Sequence, residues 1–215
     1  MEPNIVWYAQ SAFRIDACGL RVYLDPYRLA PDQPAADIIM VSHEHSDHLS
    51  PEDIATIRTG ETVVFASPQA AAKLDHPVTP LAPGQSARHG RFSVRAVPAY
   101  NVNKFRRPGV PYHPRESQHV GFVFEIEGVR FYFAGDTDLI AEMSEIGPVD
   151  YAFLPVSGTY VMTAEEAAEA VRRLGPRVVF PMHYGAVVGS VDDARRFARL
   201  VPPGVEVRLL TPVGR

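Results

Sequence analysis

Three short apolar runs in this chain each end abruptly in residues that bind metal ions, and that recurring junction constrains the fold more than any other feature. The richest is Ile38-Ile39-Met40-Val41, followed by Ser42 and then His43-Glu44-His45-Ser46-Asp47-His48. A short aliphatic run of this kind reads as a buried strand, so the ligands hang from its end. His43, His45 and Asp47 alternate, which on an extended backbone turns them to one side. His48 breaks the alternation, so the backbone is expected to turn there and aim Asp47 and His48 at a second point. The spacing is not the helical zinc motif H-E-x-x-H, because Asp47 stands where the second histidine belongs. The chain has 8 histidines in all, and their concentration here makes a solvated loop the poorer reading.

The second run, Phe131-Tyr132-Phe133-Ala134, leads into Gly135-Asp136-Thr137-Asp138; the third, Val178-Val179-Phe180, leads into Pro181-Met182-His183-Tyr184-Gly185. Taken alone, Gly135-Asp136 reads equally as a turn, and His183 as a hydrogen-bonded core residue. Beside the first cluster both become candidate ligands, since strand ends converging on one cleft are what a metal site needs.

The rest of the pattern supplies the scaffold. Strands are expected at Ile5 to Tyr8, Ala12 to Ile15, Arg21 to Leu24, Thr62 to Phe65 and Phe92 to Val97, then at Gly121 to Glu127, Val129 to Ala134, Tyr151 to Leu154 and Val205 to Leu210. Ser50-Pro51-Glu52-Asp53 caps a helix through Arg58, and Pro68 to Leu74 forms a short alanine-rich one. Thr163-Ala164-Glu165-Glu166 is a capping box opening a helix to Leu174, and Ser190 caps another to Leu200. Ala99 to Gln118 shows no clean period and reads as a long lid loop. Thr159-Tyr160-Val161-Met162 reads first as a plain connection into the helix after it and second as a further wall of the cleft. Two halves that each begin with strands and pass to strand–helix alternation imply two sheets packed face to face with helices outside. One α/β domain over residues 1–215, a four-layer αββα sandwich of mixed sheets, is expected.

Composition narrows the partners. A formal net charge of -4 gives no general attraction to nucleic acid, and no apolar stretch reaches membrane-spanning length. Cys18 is the single cysteine, so no internal disulfide forms, and Met1-Glu2-Pro3-Asn4 carries no basic leader; cytoplasm is the default compartment. Self-association into a homo-oligomer stays open.

H-E-H-S-D-H, then G-D-T-D, then P-M-H-Y-G, in that order and at strand ends, resembles the metallo-β-lactamase superfamily of hydrolases. Within it the chain looks most like the small branch that includes ascorbate-6-phosphate lactonase-like proteins. The resemblance runs over nearly all of the chain and implies the αββα fold with one or two divalent ions. His43 and His45 would hold one, Asp47, His48 and His183 the other, with Asp136 bridging. Zinc is the first choice, and manganese, iron or nickel also suit nitrogen and oxygen donors. Most members place a third histidine for the first ion near the strand end at Pro98-Ala99. Here Tyr100 and Asn101 stand instead. Asn101 through its amide oxygen and His113 from the lid are the leading alternatives, with His119 behind them because it precedes a strand; a water in that position, with Tyr100-Asn101 as a structural turn, is also open.

Such ions lower the pKa of a shared water and polarise a substrate oxygen. Asp47 is expected to orient that water and carry its proton to the leaving group. Hydrolysis of an ester, lactone or phosphodiester in a small anionic molecule follows, with Lys104, Arg106, Arg107 and Arg115 of the lid as candidate substrate contacts. A true β-lactamase is disfavoured by Asp136, where those enzymes place cysteine. A nuclease is disfavoured by the lack of room for a second domain. From another class, a catalytically idle metal-binding or scaffold protein draws its argument from the missing third histidine.

Overall fold

The computed structural model describes residues 2–215. The first half forms β1 (Asn4–Ala9), β2 (Ala12–Ala17), β3 (Leu20–Leu24), β4 (Ile38–Val41), β5 (Val63–Ala66) and β6 (Thr79–Pro80), ordered β1-β2-β3-β4-β5-β6 in one sheet. β1 to β3 pair antiparallel, and β3 to β6 pair parallel. Parallel neighbours need crossovers; α1 (Pro51–Ile57) and α2 (Pro68–Ala71) lie in these connections. Ser50 accepts a hydrogen bond from the Asp53 amide, and Pro51 occupies the first turn of α1, where its missing N–H costs nothing.

The second half adds β7 (Ser86–His89), β8 (Phe92–Pro98), the hairpin β9 (Phe105–Arg107) and β10 (Val110–Pro111), then β11 (Val120–Ile126), β12 (Val129–Phe133), β13 (Tyr151–Pro155), β14 (Val178–Met182) and β15 (Glu206–Val207). Its sheet runs β15-β14-β13-β12-β11-β8-β7, and α3 (Ala164–Leu174) and α4 (Val191–Leu200) pack on β13 and β14. Both helices open with capping boxes, Thr163 with Glu166 and Ser190 with Asp193.

Alternation explains why β4 is apolar throughout. Ile38 and Met40 point into the core between the sheets, beside Phe13, Phe65, Phe122 and Phe153. Ile39 and Val41 point the other way, into a smaller cluster with Ile54 and Ile57 of α1 and Ala70 of α2. The result is the expected four-layer αββα sandwich.

Three local expectations are corrected. The stretch after Ala99 is not structureless: it contains the β9–β10 hairpin around Pro108-Gly109 and a 3-10 turn at Arg115–Ser117. Strands of two or three residues are too short to show a period. α2 stops at Ala71, because Lys73 and Leu74 turn back to the carbonyls three residues earlier. The last strand shrinks to Glu206–Val207, since the chain then leaves its sheet and Val213 and Gly214 donate to Trp7 and Tyr8 of β1. Among the described residues no helix is long and apolar enough to cross a membrane.

Candidate metal centre

Every element of the site leaves the carboxyl end of a strand. β4 releases His43 to His48, β3 releases Asp25, β12 releases Asp136, and β14 ends beside His183. After β4 the amides of His48 and Leu49 both bond the His45 carbonyl, at 3.0 and 2.9 Å. This is the turn that separates His43 and His45 from Asp47 and His48.

Three groups of donors form, one of which, Asp25 with His43 and His48, is taken up by the hydrogen bonds of Asp25 to His48 and Ser42. In the two remaining sets, His43, His45 and His113 each offer a donor atom within 4.8 Å of the others, and so do Asp47, His48 and His183. Asp136 stands between the sets. One oxygen lies 3.5 Å from His113 Nε2, 3.0 Å from His183 Nε2 and 4.0 Å from His43 Nε2, while the other lies 3.3 Å from His48 Nε2. Despite these short distances, His48 Nε2, His183 Nε2 and Asp136 Oδ1 are buried without a hydrogen bond of acceptable geometry. Each such orphan costs about 1–3 kcal/mol, and all three face one another. The residues therefore fit a divalent ion with imidazole and carboxylate ligands.

The surrounding oxygens fix which ring nitrogens face inward. Asn101 uses its Nδ2 to donate to Asp138 and to the Tyr160 carbonyl, so its Oδ1, 3.0 Å from His113 Nδ1, can only accept. Ser42 Oγ donates to Asp25 Oδ2 at 2.6 Å and is left to accept from His43 Nδ1 at 2.9 Å. Asp25 Oδ2 also accepts from His48 Nδ1 at 2.7 Å, and Ser157 Oγ lies 3.2 Å from His183 Nδ1. Outer contacts to Nδ1 leave the Nε2 lone pair for a metal. Gln10 completes this shell, donating from Nε2 to Asp47 Oδ2 at 3.3 Å.

Electrostatics divides the two sets. Burial pushes the His43 and His45 imidazoles down and takes His113 to about 3, so these rings stay neutral, as ligation requires. For His48 burial also opposes the charge, but the Asp136 and Asp47 carboxylates outweigh it and hold the ring well above its usual range. Burial would raise Asp136, yet His183 and His48 keep it well below the carboxylate range.

The two candidates for the missing ligand are both present, in series: His113 faces the His43–His45 pair, and Asn101 stands behind His113, holding its ring and its backbone amide. His119 is buried beside His43, ring centroids 4.9 Å apart, but belongs to neither donor set. Of the four basic lid residues only Arg106 lines the cavity above the centre. Lys104 is turned inward to Glu166 at 2.7 Å and Asp138 at 3.2 Å. Arg115 pairs with Glu142 at 2.8 Å and lies over Tyr100. Arg107 follows Arg106 on β9 and so points to the other side of the hairpin. Tyr160, expected in a plain connection, is also part of the cavity wall.

Sequence reasoning missed Asp25 and Gln10. Asp25 carried a usable signal, a carboxylate at the end of an alternating strand before Pro26. Gln10 carried none. It sits in the β1–β2 turn with φ 50°, a place where a polar side chain is expected to face solvent, yet it is fully buried.

Comparison with known proteins identifies the family and the fold. Residues 4–183 match the family described as "Beta-lactamase superfamily domain". The chain is 30% identical to a UPF0173 metal-dependent hydrolase of Carboxydothermus hydrogenoformans over 97% of both chains. It is 33% identical to another from Symbiobacterium thermophilum, over 92% of this chain and 91% of the relative. A crystal structure of a protein assigned as a metal-dependent hydrolase from Parabacteroides distasonis superposes with TM-score 0.85 at 32% identity, covering 96% of this chain and 92% of that one. Igni18, a metallo hydrolase from Ignicoccus hospitalis, shares the fold with TM-score 0.76 at 23% identity, over 99% and 96% of the two chains. The chain belongs to the metallo-β-lactamase superfamily and, within it, to the UPF0173 metal-dependent hydrolase family.

Proposed function

We propose that this chain hydrolyses an ester, lactone or phosphodiester bond in a small anionic molecule, using one or two divalent ions. His43, His45 and His113 would hold one ion, Asp47, His48 and His183 the other, and Asp136 would reach both. Zinc is the first choice, with manganese, iron or nickel also suited to this donor set. The observation that carries the reading is the pair of donor sets on either side of Asp136, the second with two buried nitrogens, His48 Nε2 and His183 Nε2, that have no hydrogen-bond partner. His113, with a donor atom within 4.8 Å of those of His43 and His45, supports the hydrolase over an idle scaffold, whose case was a missing third histidine.

A divalent ion held there supplies Lewis acidity and a lowered pKa for water. The chain's own part is positioning and proton transfer. Asp47 is 20% exposed and lines the cavity, with Oδ2 held by the Gln10 amide. Its Oδ1 has no protein hydrogen bond among the described residues, so it is free to take a proton and pass it to the leaving oxygen. Arg106, at the wall of the same cavity, meets the substrate's negative charge.

Metal analysis after incubation with zinc or manganese should give about one to two equivalents per chain. Bis-p-nitrophenyl phosphate and a p-nitrophenyl ester should then turn over, and Asp47→Asn should lower kcat by about 100-fold. A protein that takes up neither metal sinks the reading.

A further inference from the structure

We propose that the cavity over the metal centre contains a ring-binding subsite made by Tyr112 and Tyr160, so that the substrate joins a flat unsaturated group to its anionic one. This deepens the hydrolase reading above and rests on it. The cavity measures about 540 Å³, within the range of small-molecule sites. Its floor is the metal centre, through His45, Asp47, His113 and Asp136. Outside those residues its lining is Ser46, Arg106, the two tyrosines and Val187.

Tyr112 and Tyr160 come from distant segments and meet edge to face, centroids 4.7 Å apart at 67°. Rings at that angle form a bent wall, with surface left for a third ring. Both are only half-buried, so their remaining faces are open to the cavity. Their backbones are anchored: the Tyr160 carbonyl accepts from Asn101 at 2.8 Å, and the Tyr112 amide donates to the Lys104 carbonyl at 3.2 Å. The Asn101 side chain that positions Tyr160 also orients His113, which ties the ring wall to the metal centre.

Arg106 supplies the charge. Its guanidinium lies over the Tyr112 ring, 5.5 Å from the centroid, and no acidic partner reaches it among the described residues, in contrast to Lys104 and Arg115. An arginine stacked on a ring keeps its edge donors available for an anion. Val187, 49% exposed at the cavity rim, adds an apolar surface. A polyhydroxylated substrate would set several hydroxyls against rings and a valine with few partners. A planar group gains from the same wall.

The test uses metal-loaded protein and two inert anions, phenylphosphonate and methylphosphonate, titrated calorimetrically. The wild type should bind the phenyl compound about tenfold tighter, the scale of an added aromatic contact with its burial. Tyr160→Leu should remove most of that gap while leaving methylphosphonate within about twofold. Arg106→Ala should weaken both compounds by a similar factor. Tyr112→Leu, on the other side of the wall, repeats the test should Tyr160→Leu fail to fold. Equal affinity of the wild type for the two phosphonates overturns the ring subsite and leaves the hydrolase reading standing. No phosphonate binding at all by metal-loaded protein overturns both.

Discussion

Replacing Asp25 by Asn should disable the second donor set through His48, leaving Asp47, His48 and His183 themselves unchanged. The Asp25 carboxylate is fully buried and accepts from the Ser42 amide at 2.6 Å, the Ser42 hydroxyl at 2.6 Å and His48 Nδ1 at 2.7 Å. Asparagine keeps the volume but turns one oxygen into a donor. If the new amide group faces the Ser42 backbone N–H, two donors collide in the interior, at a cost of about 1–3 kcal/mol. If it faces Ser42 Oγ and His48, the hydroxyl can rotate to accept, and His48 Nδ1 must accept as well. The second arrangement is the cheaper. It moves the His48 proton onto Nε2, the atom that faces Asp136 at 3.3 Å, and a protonated Nε2 cannot bind metal. Loss of such an outer contact lowers metal affinity about 10- to 100-fold, or about 1.4–2.7 kcal/mol. The carboxylate's own burial pushes its pKa up, so removing the charge also relieves a desolvation cost, and the melting temperature should fall little. Competition with a chromophoric chelator should show one weakened binding step and one nearly unchanged. A folded variant, checked by circular dichroism, that binds both equivalents with wild-type affinity would refute the reasoning.

The first donor set has its own test: His113→Ala should weaken that step more than tenfold and Asn101→Ala by less, since Asn101 acts through the ring it holds; full affinity in His113→Ala would contradict this. Lys104→Ala should destabilise the fold by about 1–3 kcal/mol in thermal melts, because fully buried Asp138 loses a partner, while KM for an anionic substrate rises only in Arg106→Ala. Gly135→Ala should lower the affinity of both steps, since Gly135 has φ +63° and a Cβ there would sit 2.7 Å from the Val120 carbonyl, displacing the neighbouring Asp136. Finally, the metal-free protein should lose melting temperature as pH falls from about 6.5 toward 4. The fold keeps His43, His45 and His113 neutral there while the unfolded chain protonates them, so stability is present above the unfolded pKa and lost on acidification. His48, raised in the fold, differs between the two states only near the top of that window and offsets little of the loss. A flat profile in the presence of a chelator would rule this out.

The fold was legible wherever a local rule repeats along the chain. β4 announced itself because a strand buried on both faces must be apolar at every position, and α1, α3 and α4 because their caps are written in sequence at Ser50, Thr163 and Ser190. The β9–β10 hairpin was not legible, because strands so short carry no period, and the residues leading into it, Val102 to Lys104, are held by contacts to Asp138 and Glu166 from other segments.

The site divides along the same line. By itself the sequence determined the chemistry available: imidazoles and carboxylates at the ends of apolar strands, in an order that names the superfamily. Only the tertiary structure decided how each group is used. It set His113 rather than Asn101 toward His43 and His45, sent Lys104 and Arg115 into ion pairs, left Arg106 over Tyr112, and placed Asp25 behind His48 and Gln10 behind Asp47. The reason is physical. Donor type and strand-end position are local properties, whereas the direction of a lone pair or the neutralisation of a charge depends on partners that approach from distant parts of the chain.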